Sequence, residues 1–210
     1  MIHSPIAPKI LSQLDIWGGI IENELDIDGF QVESRDFSGI RRLNIEASRI
    51  NKVTVMGTVL ENLELSDVEC LRLEGAALQA YKTFFLRVNM VDCRLTGAEF
   101  AEGHFEDCTF KNVKFDQAGF RFASFKRVIF DSCVLEQADF SNAKLTDVTF
   151  TDCSLDNSSF VSASCTNVDV TSEDLTMIKG VLGLKGSTLS SEQVIQLAPL
   201  LASELGFIVD

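Results

Sequence analysis

The chain has 210 residues, 46% of them hydrophobic, which is enough for one domain with a substantial core. Its net charge of −13 disfavours binding to a nucleic-acid backbone or an anionic membrane and favours a basic partner. The sequence shows no apolar stretch of about 18 residues and no secretory leader pattern, so we expect a cytoplasmic protein.

Residues 1–35 precede the regular part of the sequence and are predicted to form a small N-terminal cap with the opening coil of the fold. The repeats that follow would leave an open hydrophobic end, and such an end needs a cap. Ile10, Leu11, Leu14 and Trp17 recur at helix-like spacing. This spacing suits a short N-terminal cap within residues 8–18.

Residues 36–176 carry an apolar residue at almost every fifth position. In the most regular part these central positions are Leu95, Phe100, Phe105, Phe110, Phe115, Phe120, Phe125, Phe130, Leu135, Phe140, Leu145, Phe150, Leu155 and Phe160. A small or β-branched residue stands two positions before each centre, as at Ala118 and Val128. A period of five fits neither a helix nor a strand, so the chain must turn through a fixed angle every five residues.

The small positions repeat in kind only every twenty residues. Ala98 and Ala118 belong to one series, and Val128 and Val148 belong to another. Four pentapeptides therefore make one turn of a square coil. The prediction is an all-β solenoid, a right-handed quadrilateral parallel β-helix of about seven coils and about 34 Å, with strand spacing of about 4.8 Å.

Two central positions, Gly75 and Ala80, depart from this pattern. The residues two positions before them are Leu73 and Leu78, so large and small side chains exchange places and the core volume is kept. The register continues on both sides of this exchange. We therefore expect residues 71–81 to form a distorted coil without an inserted loop.

Residues 177–210 follow the repeats and are predicted to form a helical C-terminal cap. We expect Ser190 to be the N-cap of the helix, with Gln193 completing a capping box. Pro199 is expected to kink or divide the helix, and Gly206 to follow its end. The residues that are candidates for sealing the last coil or for a dimer interface are Val194, Leu197, Leu201, Leu205 and Phe207.

Two stretches, 113–120 (VKFDQAGF) and 136–145 (EQADFSNAKL), resemble the A-D/N-L/F-x-x signature of bacterial pentapeptide-repeat proteins. The resemblance covers about residues 36–176, and the tail is similar to the C-terminal cap of many members. The best-understood branch comprises the Qnr-type and mycobacterial fluoroquinolone-resistance proteins, which are dimeric acidic rods that resemble B-form DNA and act on DNA gyrase. The resemblance implies gyrase as a partner and a homodimer through the C-terminal cap, although a shared fold does not carry an activity over. The projecting loops of some Qnr proteins have no counterpart in the unbroken register of this chain.

The strongest candidate functional residues are acidic. Asp116, Glu136 and Asp156 fall at the same outward position on three successive coils. Stacked like charges destabilise a sheet, so this column is a candidate surface for a basic partner. The candidate surface also includes three glutamates on successive faces of one coil: Glu64, Glu69 and Glu74.

No cluster of residues carries recognisable catalytic or cofactor chemistry. The cysteines fall at inward positions and lack zinc-ligand spacing, so buried thiols are expected. His104, one of two histidines, has no nucleophile that the register would bring beside it. We therefore expect a protein that is not an enzyme and that holds no metal and no cofactor.

The leading functional prediction is a non-catalytic protein-binding module whose rigid acidic surface mimics B-form DNA and acts on gyrase. The alternative is a structural or scaffold protein with an unknown partner and no gyrase activity. A duplex of 34 Å carries about 20 charges, more than the net charge of the chain, so charge alone does not decide between them. Neither function requires direct contact with nucleic acid or a membrane.

Overall fold

The computed structural model of the chain describes residues 2–171 and 175–208, which form a parallel β-solenoid of about 8 turns with one C-terminal α-helix. The strands are β1 (Asp15–Ile16), β2 (Glu24–Asp28), β3 (Phe30–Glu33), β4 (Arg42–Glu46), β5 (Arg49–Asn51), β6 (Val59–Leu60), β7 (Asn62–Leu71), β8 (Gln79–Ala80), β9 (Phe84–Val91), β10 (His104–Lys111), β11 (Ser124–Asp131), β12 (Lys144–Thr151), β13 (Ser164–Thr171) and β14 (Ser187–Thr188). A 3-10 helix spans Val181–Leu184, and α1 spans Ser191–Glu204. The predicted solenoid is confirmed.

The coils stack in parallel with a shift of twenty residues. Phe105 of β10 pairs with Phe125 of β11, which pairs with Leu145 of β12. The first coils are shorter, because Asp15 pairs with Phe30, fifteen residues later, and β3 pairs with β5 at a shift of eighteen. These short coils begin before residue 36, so the solenoid has more turns than the regular repeat alone predicts.

A left-handed residue turns almost every corner of the coil. It is the second residue after each centre, as at Asp107 (φ 57°) and Arg127 (φ 54°), and it is usually not glycine. On two of the four faces the strand continues through this corner, so that β10 contains Asp107 within its eight residues. The other two faces are joined between coils by isolated bridges, such as Lys114 with Val134.

The core consists of stacked columns of central side chains. Phe105 and Phe125 have ring centroids 4.8 Å apart and nearly parallel planes, and Phe130 and Phe150 lie 5.0 Å apart in the same way. All four side chains are buried. Each contributes about 1.5–3 kcal/mol by leaving water, so the like-on-like stacking expected from the sequence is the main source of stability.

Residues 71–81 keep the regular coil geometry. Glu74 bridges to Arg94 in the usual register, and Leu73 and Leu78 are buried where other coils place small residues. A Cβ on Gly75 would lie 3.1 Å from Leu73 Cδ2 and 2.8 Å from Leu95 Cδ2, so a large residue at 73 favours the small one at 75. The predicted register is therefore right and the predicted distortion is wrong, because the exchange of side chains occurs inside an unchanged backbone.

The described residues of the N-terminal segment form no helix, although their apolar residues have helix-like spacing. Ile6 N–H donates to Asp107 Oδ1 at 3.0 Å and Lys9 N–H donates to Asp67 Oδ1 at 2.7 Å, which holds the segment against the side of the solenoid. These distant carboxylates satisfy backbone donors that a helix would otherwise pair internally. The open end is covered instead by Trp17, whose buried ring packs edge-on against Phe37 at 5.7 Å.

The C-terminal helix α1 follows the prediction at both ends. Ser190 Oγ accepts from Gln193 N–H at 3.1 Å, and Gln193 Oε1 accepts from Ser190 N–H at 2.9 Å, which is the expected capping box. Gly206 has φ 82° and follows the helix end as predicted. Pro199 lies inside a single helix of 14 residues and does not divide it.

Candidate functional site

The acidic column, defined as Asp116, Glu136 and Asp156, occupies one face of the solenoid in three successive coils. The backbone places the residues in register, because Gln117 N–H donates to Glu136 O and Gln137 N–H donates to Asp156 O, both at 2.8 Å. Neighbouring members are therefore about 4.8 Å apart. Glu136 is exposed and the other two are half-buried, so all three present negative charge to solvent.

The acidic column is held by neutral hydroxyl groups. Thr96 Oγ1 donates to Asp116 Oδ1 at 2.8 Å, and Ser154 Oγ donates to Glu136 Oε1 at 3.0 Å. Within residues 2–171 and 175–208, none of the three carboxylates forms an ion pair with Lys or Arg. Asp116 and Glu136 are thus oriented while the charge of the column stays uncompensated.

The three glutamates of the earlier coil do not join this column. Glu69 pairs with Arg49 Nε at 2.7 Å, and Glu74 lies 3.6 Å from Arg94 Nη1. Glu64 accepts from an asparagine amide and lies on another face again. Only Glu74 shares a face with the acidic column, and its charge is compensated, so the predicted surface separates into one open column and three isolated carboxylates.

A second set of stacked charges alternates in sign; we call Asp67, Arg87, Asp107, Arg127 and Asp147 the paired flank. Arg87 donates to Asp67 through Nε at 2.7 Å and Nη2 at 2.6 Å, and Arg127 donates to Asp107 at 2.6 and 2.7 Å. The carboxylates are nearly buried, with side-chain exposure of 3% for Asp107, whereas the Arg87 and Arg127 side chains are 21% exposed. Two of the three carboxylates at this corner are compensated by an arginine, so the flank offers little net charge to a partner.

These pairs shift the pKa values of their carboxylates. The hydrogen bond from Arg87 lowers the pKa of Asp67 below its ordinary value. Burial raises the pKa of Asp107, but the hydrogen bonds from Arg127 and from Ile6 N–H lower it by more. Hydrogen bonds from Lys126 and Arg127 lower the pKa of Glu106 to about 2. Asp67, Asp107 and Glu106 therefore stay ionised at neutral pH.

The candidate interface at the C-terminal cap divides into a buried and an exposed part. Leu197 is fully buried and Leu201 packs partly against the core, so these two seal the last coil. Val194, Leu205 and Phe207 are exposed, with 66% exposure for Phe207. The packed side of α1 runs through Gln193, Leu197, Leu200 and Leu201, because the helix lies rotated from the orientation that the sequence stripe predicts.

The cysteines and histidines show no arrangement for nucleophilic chemistry in the described part of the chain. Burial raises the pKa of Cys108 to about 12, so its thiol is protonated at neutral pH. Cys70 Sγ and Cys93 Sγ lie 3.8 Å apart, a non-bonded distance. His104 stacks on Phe84 and approaches Glu106 Oε2 at 3.5 Å. Within residues 2–171 and 175–208, no group of three or more His, Cys, Asp or Glu side chains is arranged to hold a metal ion.

A bilayer-spanning helix is not found in the described residues, where no helix has the required length and apolar character.

Two structural contacts of the cap escape the sequence pattern. The Glu204 carboxylate accepts from Val181 N–H at 2.9 Å and from Leu182 N–H at 3.0 Å, which ties α1 to the 3-10 helix. A Cβ on Gly183 would approach Phe160 O to 1.9 Å, so this position requires glycine. A glutamate late in an amphipathic helix is too common a feature to predict the first of these contacts.

Residues 83–160 and 103–178 match the pentapeptide repeat region family. Among solved structures, the chain is similar to HetL, a pentapeptide repeat protein involved in heterocyst differentiation regulation from the cyanobacterium Nostoc sp. strain PCC 7120. The two sequences are 14% identical, the match covers 81% of this chain and 90% of HetL, and the TM-score is 0.42. A trypsin-treated variant of QnrB1, a plasmid-mediated fluoroquinolone resistance protein, is 21% identical, with 94% and 98% covered and a TM-score of 0.43. Full-length QnrB1 is 15% identical, with 88% and 100% covered and a TM-score of 0.31. The curated proteins contain no match.

Proposed function

We propose, from the premise that the chain contains a pentapeptide repeat region, that the protein is a non-catalytic module that binds a basic protein surface through the acidic column. The observation that carries the proposal is the contrast between Asp116, Glu136 and Asp156, which lack a cation, and the paired flank, where each Arg neutralises an Asp. Uncompensated stacked carboxylates cost stability, and a basic partner would remove that cost.

DNA gyrase is the first partner to assay, because it binds DNA and because the family resemblance implies it. About 8 turns give a rod of about 38 Å. A duplex of that length carries about 22 charges, whereas the chain has a net charge of −13. Mimicry of DNA by one chain therefore depends on concentrating charge on one face, which the acidic column does over three coils.

A homodimer through the cap would extend this surface, and the exposed side chains of Val194, Leu205 and Phe207 support such a contact. Leu197 stays in the core and is left out of this interface. Replacing the three exposed residues by Ser should convert a dimer to a monomer in light-scattering measurements without a change in the circular dichroism spectrum. A monomeric wild-type protein at all concentrations would contradict the dimer.

The decisive experiment measures gyrase supercoiling with purified protein, with and without a fluoroquinolone. The test variant reverses the column by Asp116→Lys, Glu136→Lys and Asp156→Lys. The matched control reverses three exposed acids in the first coils, Glu22→Lys, Asp28→Lys and Glu46→Lys, and so makes the same change in net charge. We expect inhibition or drug protection by wild type and control, and its loss in the column variant.

The alternative is a structural scaffold without gyrase activity, and the charge compensation along the rest of the rod favours it. Glu69 pairs with Arg49, Asp107 pairs with Arg127, and Asp131 pairs with Lys111. In each pair the cation lies on the neighbouring coil. Wild-type protein without effect well above the gyrase concentration would support this alternative. An affinity capture in which the column variant and the control retain the same proteins would show that the acidic column is not the binding surface.

A further inference from the structure

The paired flank forms a polar strip along one corner of the solenoid, and we call this strip the channel. Its three carboxylates, Asp67, Asp107 and Asp147, recur every second coil, and Arg87 and Arg127 stand between them. Stacked coils are about 4.8 Å apart, so successive carboxylates are about 9.6 Å apart. All three Asp residues are at least nine-tenths buried, which fixes their positions.

The N-terminal segment lies along this channel in an extended conformation. Ile6 N–H donates to Asp107 and Lys9 N–H donates to Asp67. The two donors are three residues apart, and the two carboxylates are two coils apart. Arg49 Nη1 continues the contact by donating to Leu11 O at 3.3 Å. A polyproline II segment advances about 9.3 Å in three residues, which matches two coils.

Prolines prepare the segment for this geometry. Pro5 and Pro8 stand immediately before the two donor residues, and both are half-buried. Proline restricts its own backbone and that of the preceding residue to extended conformations, so less entropy is lost when the segment is seated. The channel thus recognises backbone N–H groups at a spacing that prolines three residues apart impose.

We propose that the paired flank is a binding site for an extended, proline-spaced segment of a partner protein, and that residues 2–11 occupy it as an internal competitor. The side chains of Ile6 and Leu11 contribute little to the seating, since they are 53% and 69% exposed. The occupant carries no acidic residue before Asp15, which suits a channel lined by carboxylates. This site is separate from the acidic column and does not depend on the function proposed for it.

The channel is longer than its occupant. Asp147 continues the series by two coils beyond Asp107, and the residue three before Ile6 is His3. Asp147 Oδ1 accepts a hydrogen bond from Asn167 Nδ2 at 3.1 Å, but it accepts none from residues 2–14. A partner segment can therefore engage one carboxylate more than the chain's own N-terminus does.

The test uses full-length protein and a fluorescent, N-acetylated peptide of residues 2–14. The variant Ile6→Pro/Lys9→Pro removes both backbone donors and so releases the internal segment. The control variant Ala7→Pro/Ile10→Pro adds two prolines beside them and keeps both donors. With a local concentration of about 1 mM for the tethered segment, we expect the donor-less variant to bind the peptide at least tenfold more tightly than wild type or control.

Two further arms make the outcome decisive. A peptide N-methylated at the Ile6 and Lys9 amides should lose binding, and a peptide with an alanine inserted after Ala7 should lose it as well. Equal binding of these peptides, or equal binding by all three proteins, would overturn the proposal.

In wild-type protein, hydrogen exchange should be slower at the Ile6 and Lys9 amides than at the Ala7 and Ile10 amides. Equal rates would show that the segment is not seated and would also overturn the proposal.

Discussion

The variant Glu136→Gln should increase the stability of the protein. Glu136 stands between Asp116 and Asp156, each about 4.8 Å away. Two unit charges at that distance repel by about 0.9 kcal/mol in water, so removing the central charge relieves about 1.7 kcal/mol without salt. With a Debye length of about 8 Å, the gain falls to about 1 kcal/mol at physiological ionic strength. The glutamine keeps an oxygen to accept the Ser154 hydroxyl, so no hydrogen bond is lost.

The measurement is thermal unfolding of wild type and variant at three salt concentrations. A gain of 1 kcal/mol corresponds to an increase in Tm of about 2–4 °C for a chain of this size. It should be about 1.5 kcal/mol at 10 mM salt and about 0.3 kcal/mol at 1 M. The control Asp131→Asn removes a carboxylate that pairs with Lys111 at 2.9 Å, and should give no gain. Lower stability of Glu136→Gln, or a gain that is independent of salt, would refute the reasoning.

Three further outcomes follow from individual contacts. Phe122→Asn should stabilise the protein by about 0.5–1 kcal/mol in urea unfolding, because the exposed Phe122 has φ 60° and asparagine tolerates this region; a loss would show that the ring makes a stabilising contact. The pKa of Glu106 is lowered from 4.5 to about 2, so this residue stabilises the fold above pH 4.5. Its contribution is at most about 3 kcal/mol and should be lost as the pH falls towards 2. The variant Glu106→Gln should flatten that part of the profile of stability against pH. Leu78→Ala should cost about 2–5 kcal/mol, and adding Ala80→Leu should recover part of it by double-mutant cycle, since the two positions fill the same core; strictly additive effects would contradict the exchange.

The solenoid could be predicted because its determinants are local and repeated. Phe105 and Phe125 occupy equivalent places in the sequence, so the same environment recurs and the stacking follows from the period. The exchange at Leu73 and Gly75 was recognisable for the same reason. Its effect on the backbone was not, because only the structure shows that the Leu73 side chain uses the space that a Cβ on Gly75 would need.

The N-terminal segment could not be predicted because its partners are distant in sequence. Ile10, Leu11 and Leu14 have helical spacing, but Lys9 N–H is bound by a carboxylate 58 residues away and Ile6 N–H by one 101 residues away. No local pattern records such contacts. Pro5 and Pro8 were the available signal, since two prolines three residues apart favour an extended segment over a helix.

The residue types at the corner positions indicate the left-handed backbone only in part. Asn, Asp and Gly tolerate the left-handed region, and they recur at this position in the later coils, as at Asn142, Asp152 and Asn157. Earlier coils place Arg or Lys there, as at Arg87, so the pattern is incomplete. Along the paired flank, acidic and basic residues alternate from coil to coil. That alternation predicts charges that pair with each other, whereas the acidic column has charges of one sign.

The two sets of stacked charges have opposite consequences for binding. On the paired flank, Arg127 and Asp107 satisfy each other, so a ligand can gain only by offering hydrogen-bond donors to oxygens that are already fixed, as Ile6 N–H does. On the acidic column the carboxylates have no cation, so a ligand gains most by offering positive charge. A peptide bound to the flank should therefore be insensitive to salt relative to a partner bound to the column. Measuring both affinities between 50 mM and 500 mM salt would separate the two sites, and an equal salt dependence would show that both ligands use the same surface.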